Sequence, residues 1–167
     1  SPHQKTGFDK EQFSLNTENV SLIILLHNKT KLMKNKLLET IENSEKYTLA
    51  VAASMPVDQF HFRPSKDVWP FSELLHHIGY GIHWWQENFI QGKKSEWNPP
   101  TPPKTREAVV AYLSNSFAIL KKTVTSTKLD EASVHGVYAT LDHITHHRSQ
   151  AIAYLRNNNI TAREYIY

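Results

Sequence analysis

The chain has 167 residues, of which 40% are hydrophobic and 21% charged, and it carries a formal net charge of +3. This length and balance predict one folded domain with a good-sized core rather than a disordered chain. The basic residues are scattered among acids, so the composition argues against nucleic-acid binding. The sequence contains no cysteine, which excludes disulfides, thiolate metal sites and cysteine nucleophiles.

The hydropathy pattern argues against a membrane-spanning segment. The longest uninterrupted apolar run, Leu22–Leu26, is far too short to cross a bilayer, and no signal peptide is visible. We therefore expect no membrane association and, by default, a cytoplasmic location. The chain begins at Ser1 rather than Met, which leaves an exported form open.

The first part of the chain divides into a tail and a helix. Residues 1–18 are polar and aperiodic and predict a loosely ordered N-terminal extension, with the folded bundle occupying residues 19–167. A helix is expected from about residue 20 to 53, although the pattern leaves open whether the run 20–26 belongs to it. Its apolar positions recur at threes and fours and are Leu32, Met33, Leu37, Leu38, Ile41, Leu49 and Ala52.

Prolines separate the remaining elements. The segments 57–70 and 91–104 read as linkers, and each is long enough to permit a crossover. Between them we expect a second helix over about 71–90, followed by a third over about 105–126 with Thr105 as its N-cap. A connection at 128–136 would lead to a fourth helix over about 137–156. The inner face of the third helix should carry Val109, Leu113, Phe117, Leu120 and Val124.

Four long helices without a convincing strand predict an all-α fold, a four-helix bundle of the up-and-down type. Within it, the clearest chemical signal is the four-residue step between His143 and His147. This step stacks two imidazoles on one face of a helix, one turn apart, where both can bind the same divalent ion.

Helical geometry at about 100° per residue separates the other histidines. His77 lies at the edge of the apolar arc of the second helix, whereas His76 and His83 point away from it and should be solvated. His146 falls to the far side of the stripe formed by His143 and His147. The predicted inward-facing histidines are therefore His77, His143 and His147, which are the candidate metal ligands. A lone histidine on an apolar face is more often a hydrogen-bonded core residue, but two neutral imidazoles buried together have few partners without a cation or acids.

Several neighbours of this triad are candidates for the pocket. Gln150 and Tyr154 share the stripe of the two histidines, and Gln150 is favoured over Asp142 as the partner of a ligand ring N–H because Asp142 faces the wrong way. Trp85 is expected to pack, and beside His77 it could wall the pocket. The predicted supporting residues are Gln150, Tyr154, Trp85 and His146.

Two motifs together resemble the DinB-like family of metal-binding four-helix bundles, which is distinct from the DNA polymerase of the same name. The first is the stretch 141–156, which contains His-Ile-Thr-His-His-Arg-Ser-Gln. The second is Phe62-Arg63-Pro64 followed by Glu-Leu-Leu-His-His-Ile at 73–78. The resemblance covers about residues 20–160. It departs from the family pattern at Ser149, where glycine is usual, and at residues 161–163, which lack the common prolines.

The resemblance implies an up-down-down-up bundle that holds one metal through a histidine of the second helix and two of the fourth. Carried over by position, these are His77, His143 and His147. Three neutral imidazoles leave a coordination position open for water or substrate, as in catalytic rather than structural sites. Zinc and nickel both suit imidazole ligands, and the sequence does not choose between them.

Three functions remain open at this stage. The ion could activate the thiol of a low-molecular-weight cofactor for S-transfer or isomerisation, as is known for relatives, or activate water for hydrolysis. Alternatively, the bundle could bind metal or dimerise without catalysis. The absence of a recognisable nucleophile or general base tilts the interpretation towards thiol chemistry. The expected partners are a small-molecule substrate and a second copy of the chain.

Overall fold

The computed structural model describes the backbone of residues 17–165 and the side chains of residues 19–165. Its main elements are α1 (Thr17–Ser54), α2 (Phe71–Trp85), α3 (Arg106–Ser126) and α4 (Glu131–Asn157). A short 3-10 turn follows α1, and a π-helical turn, Gln86–Ile90, extends α2. The all-α prediction is confirmed. Residues 1–16 of the predicted extension lie outside the described part of the chain.

The element boundaries agree with the sequence prediction except at the start of α4. The apolar run 20–26 belongs to the same helix as the rest of α1, and α3 begins after Thr105, whose Oγ1 accepts a hydrogen bond from the Ala108 N–H at 3.2 Å. The segment 131–136, predicted as connection, is helical. The cause is a capping box, in which Asp130 Oδ1 accepts from the Ser133 N–H and Ser133 Oγ accepts from the Asp130 N–H, both at 2.8 Å.

Contacts at the helix ends fix the direction of α3 relative to α1. The Arg106 guanidinium, at the start of α3, donates to the carbonyl of Ala53 near the end of α1. At the other end of α3, Lys34 Nζ donates to the carbonyls of Thr125 and Thr127, each at 2.9 Å. The two helices are therefore antiparallel.

The other two directions follow in the same way. Contacts between α2 and α3 rise in residue number together, from Gly79 beside Tyr112 to Gln91, just after α2, beside Thr123. These two helices are therefore parallel. Contacts between α2 and α4 run in opposite senses, and those between α1 and α4 in the same sense. The order is up-down-down-up, as expected, and the linker 91–105 is the crossover that joins the two parallel helices.

The core lies between the four helices. Every predicted inner residue of α3 is fully buried, as are Ile41 and Ala52 of α1. Leu32 and Met33, predicted to face the core, are exposed instead. Because Lys34 already lies level with the end of α3, the residues before it project past that helix. No helix within residues 17–165 is long and apolar enough to cross a membrane.

Candidate metal centre

Three imidazoles converge where α2 and α4 pack together. His77 Nε2 lies 3.0 Å from His147 Nε2 and 3.4 Å from His143 Nε2, and each ring offers a ligand nitrogen within 4.8 Å of those of the other two. Ligands at 2.0–2.1 Å from a tetrahedral ion are separated by about 3.3 Å. The spacing therefore suits three nitrogen ligands of one ion. The fold thus brings together the three histidines predicted from the sequence. Within residues 19–165 they are the one cluster of histidine or acidic side chains with the spacing of metal ligands.

The approach of α4 to α2 depends on a glycine opposite His143. A Cβ atom built on Gly81 would lie 1.9 Å from His143 Cε1, 2.6 Å from its Nδ1 and 2.8 Å from its Nε2. No side chain fits at that distance, so the imidazole occupies the space that the missing Cβ leaves. Gly81 therefore belongs to the site, because only a residue without a side chain allows this approach.

Gln150 sets the tautomer of one ligand. Its side-chain oxygen lies 2.8 Å from His147 Nδ1, and because an amide oxygen can only accept, the Nδ1–H of His147 is the donor. The proton on Nδ1 leaves the Nε2 lone pair pointing at the other two rings, which is the form that binds metal. His146 is exposed, with Nε2 3.4 Å from the amide nitrogen of Gln150, and Asp142 is also exposed.

The three rings are uncharged at neutral pH. Burial, reinforced by the neighbouring imidazoles, lowers the pKa of His143 to about 3 and that of His77 to about 4, and burial also lowers the pKa of His147. Three neutral nitrogens so close together cannot all be satisfied by donating to one another. A divalent cation satisfies all three at once, since each neutral ring offers it a lone pair.

Two clefts flank the triad, separated by the indole of Trp69. One, of about 510 Å³, is lined by His147, Gln150, Tyr154, Ala153 and Asp67–Trp69. The other, of about 430 Å³, is lined by His77, Glu73, His76, Trp97 and the proline-rich crossover. The Trp69 ring lies 4.6 Å from that of His77 and 6.3 Å from that of His147. Small molecules can therefore reach the triad from either side of this indole.

The predicted pocket residues divide between these surroundings. Tyr154 is buried and forms the floor of the first cleft, beside Gln150. Trp85 packs against the outer side of the triad, with its ring 5.9 Å from His143 and stacked at 4.8 Å on Phe89. It lines neither of the two clefts beside the triad.

The predictions for His76 and His83 are wrong. His76 is only 3% exposed and stacks on Tyr112 at 4.8 Å, and His83 is half-buried with Nε2 3.0 Å from Ser116 Oγ. The prediction from helical geometry assumed that α2 has one buried face. In the structure α2 packs against α4 on one side and α3 on the other, so two faces are covered.

Three residues that line the second cleft, Trp69, Glu73 and Trp97, were not among the predicted site residues. Trp69 and Trp97 sit in irregular linkers, where no periodicity points to a site. Glu73 carried a usable signal, because it precedes His77 by four residues and therefore lies on the same face of α2, one turn earlier. Because Glu73 lines the same cleft as His77, its carboxylate can contact a molecule bound beside the triad.

Comparison with known proteins agrees with this architecture. A family model described as the DinB superfamily matches residues 40–155, more than half of the chain and all three histidines of the triad. A search of curated proteins gives no match. On the strength of the family match, which spans most of the bundle described above, the chain belongs to the DinB superfamily.

Proposed function

We propose that this protein binds one divalent metal ion, zinc or nickel, through the Nε2 atoms of His77, His143 and His147 and acts on a small molecule that reaches the ion from the flanking clefts. The observation that carries the proposal is the convergence of three neutral imidazole nitrogens, 3.0 and 3.4 Å apart, with no acid among them. An ion held by three neutral ligands keeps its full charge and a free coordination position.

The favoured reaction class is S-transfer or isomerisation that depends on a low-molecular-weight thiol. When bound, the ion would supply the positive charge that deprotonates a coordinating thiol. The chain has no cysteine of its own, so the thiol must come from solution and no internal thiolate competes with it. The residues contribute binding and orientation: Gln150 holds the His147 ring, and Trp69 packs beside the His77 and His147 rings.

Hydrolysis is the second candidate, and Glu73 is the observation that favours it. This carboxylate lines the same cleft as His77 and lies one helical turn before it. A carboxylate beside a metal position can accept the proton of a water molecule that attacks a bound substrate. The two candidates differ in what the open position must accept, which is a thiol in the first and a hydrolysable carbonyl or phosphoryl group in the second.

The metal assignment is tested with untagged protein purified without a nickel column. About one divalent ion per chain is expected by elemental analysis, and the His77→Ala and His147→Ala variants should lose it. The variant His146→Ala is the matched control, since this exposed neighbour should leave the metal content unchanged. Retention of the metal by the triad variants would refute the site.

The reaction class is tested with cobalt-substituted protein, whose visible absorption reports on the ligands of the ion. A panel of small thiols, glutathione included, should add a sulfur-to-cobalt charge-transfer band, and the same panel should leave the His77→Ala variant unchanged. If no thiol alters the spectrum while the ion is in place, thiol chemistry is refuted. Hydrolysis of ester or phosphoester panels that Glu73→Gln abolishes would then support the second candidate.

A further inference from the structure

The second cleft has the features of a site for an organic cation. Two of its walls are the indoles of Trp69 and Trp97, which remain 47% and 43% exposed although each packs against the His77 ring. The faces of indole rings carry the negative part of the ring quadrupole and attract cations more strongly than any other side-chain ring. Such rings left open to solvent in a concave site are available to a ligand.

The Trp97 wall is fixed in place before any ligand binds. Its ring packs edge-on against Tyr80 at 4.7 Å and against Trp84 at 5.5 Å, and the N–H of the next residue, Asn98, donates to the Tyr80 hydroxyl at 2.8 Å. Trp84 in turn donates its indole N–H to the Ser95 carbonyl at 2.9 Å. The crossover is thus fastened to α2 around this indole, so little ordering cost remains for binding.

The charged side chain that lines the cleft is acidic. Among the residues that line it, Glu73 carries the one carboxylate, and no lysine or arginine is present. An anionic group would meet this carboxylate and the negative faces of two indoles, whereas an ammonium group would be attracted by all three. The side chains of the lining therefore favour a cation over an anion at this position.

We propose that this cleft binds the cationic group of the substrate, an ammonium or quaternary ammonium enclosed by Trp69, Trp97 and Glu73, while another part of the same molecule reaches the metal position at His77. This inference deepens the proposed function and rests on it. It narrows the substrate class to small molecules that combine an ammonium group with a metal-binding group, such as a thiol or a carboxylate. The carboxylate of Glu73 offsets the repulsion between the two positive charges.

The test uses zinc-loaded protein whose metal content has been verified, and choline as the probe. Its neutral isostere 3,3-dimethyl-1-butanol has the same shape without the charge. Binding is followed by NMR of the four tryptophan indole N–H signals. Choline should shift the signals of Trp69 and Trp97 and bind at least about tenfold more tightly than the isostere, a ratio expected for a cation between aromatic faces and a carboxylate.

Variants assign the affinity to the cleft. Glu73→Gln and Trp97→Leu should each weaken choline binding several-fold, whereas Glu107→Gln and Phe89→Leu, which change an exposed acid and an exposed ring outside the cleft, should not. Equal affinity for choline and its isostere, or unaltered binding by Glu73→Gln, overturns the inference. A protein that loads with zinc but ignores choline fails this proposal alone, whereas a protein that cannot be loaded fails the proposed function.

Discussion

Replacement of Gly81 by alanine tests how closely the two ligand-bearing helices must approach. The new methyl group would lie 1.9 Å from His143 Cε1, against about 3.5–4.0 Å for carbon atoms in contact. The ring must therefore move by well over an ångström, because the methyl group is fixed to the backbone of α2. A displacement of that size takes His143 Nε2 away from its position 3.4 Å from His77 Nε2.

Gly81→Ala should change the metal affinity more than the free energy of unfolding. Overpacking of a tight interior costs about 1–3 kcal/mol, whereas alanine in place of a helical glycine returns about 1 kcal/mol. The metal-free variant should therefore lose at most about 2 kcal/mol of its free energy of unfolding. Its metal affinity should fall much further, by at least the 10–100-fold typical of a disturbed ligand orientation.

Gly79→Ala is the matched control for Gly81→Ala. Its methyl group would lie 2.9 Å from the ring of Tyr112 and 3.2 Å from Ser116 Oγ, on the α3 side of the same helix and away from the triad. Urea unfolding in the presence of a chelator should show similar losses for both variants. Competition with a chromophoric chelator should show weakened metal binding for Gly81→Ala only. Wild-type affinity in that variant would show that metal binding does not depend on the space that Gly81 leaves for the His143 ring.

Three further predictions concern the site and its support. Because the folded-state pKa values of His77 and His143 lie near 4 and 3, below the ordinary 6.5, the unfolded chain takes up protons first as the pH falls. The metal-free protein should therefore lose stability between about pH 6.5 and pH 4, by up to ~1.4 kcal/mol per pH unit for each ring, and urea midpoints that stay constant over this range would contradict the stated cause. Gln150→Leu should weaken metal binding about 10–100-fold while Gln150→Glu retains it, and equal affinities would show that the hydrogen bond to His147 is unimportant. Arg148→Ala should lower the free energy of unfolding by about 2–4 kcal/mol, because the buried guanidinium bonds Ser44 Oγ at 3.0 Å; a loss below 1 kcal/mol in urea titrations would contradict this.

The sequence predicts the triad because α4 follows a single period. His143 and His147 are one turn apart on a helix whose inward positions are apolar. Helical periodicity therefore predicts the direction of both side chains without knowledge of the neighbouring helices. The up-down-down-up order was implied by the family resemblance alone, since the lengths of the linkers 57–70 and 91–104 permit a crossover at either place.

The features that could not be predicted from the sequence depend on how the helices and linkers pack against one another. His76 is buried because α3 covers a second face of α2, and a wheel drawn for one helix has no information on how many neighbours it has. Leu32 and Met33 keep the period of a core face but extend beyond the helix that would cover them. Trp69 and Trp97 reach the triad from irregular linkers, whose path is fixed by tertiary contacts such as the hydrogen bond from Asn98 to Tyr80.

X-ray absorption at the metal edge of protein loaded with one equivalent of zinc tests whether the three histidines hold the ion. We expect three imidazole nitrogens at about 2.0–2.1 Å together with one light atom from solvent, and the loss of one imidazole in the His143→Ala variant. A first shell of carboxylate and water oxygens, or a spectrum that His143→Ala leaves unchanged, would contradict this expectation.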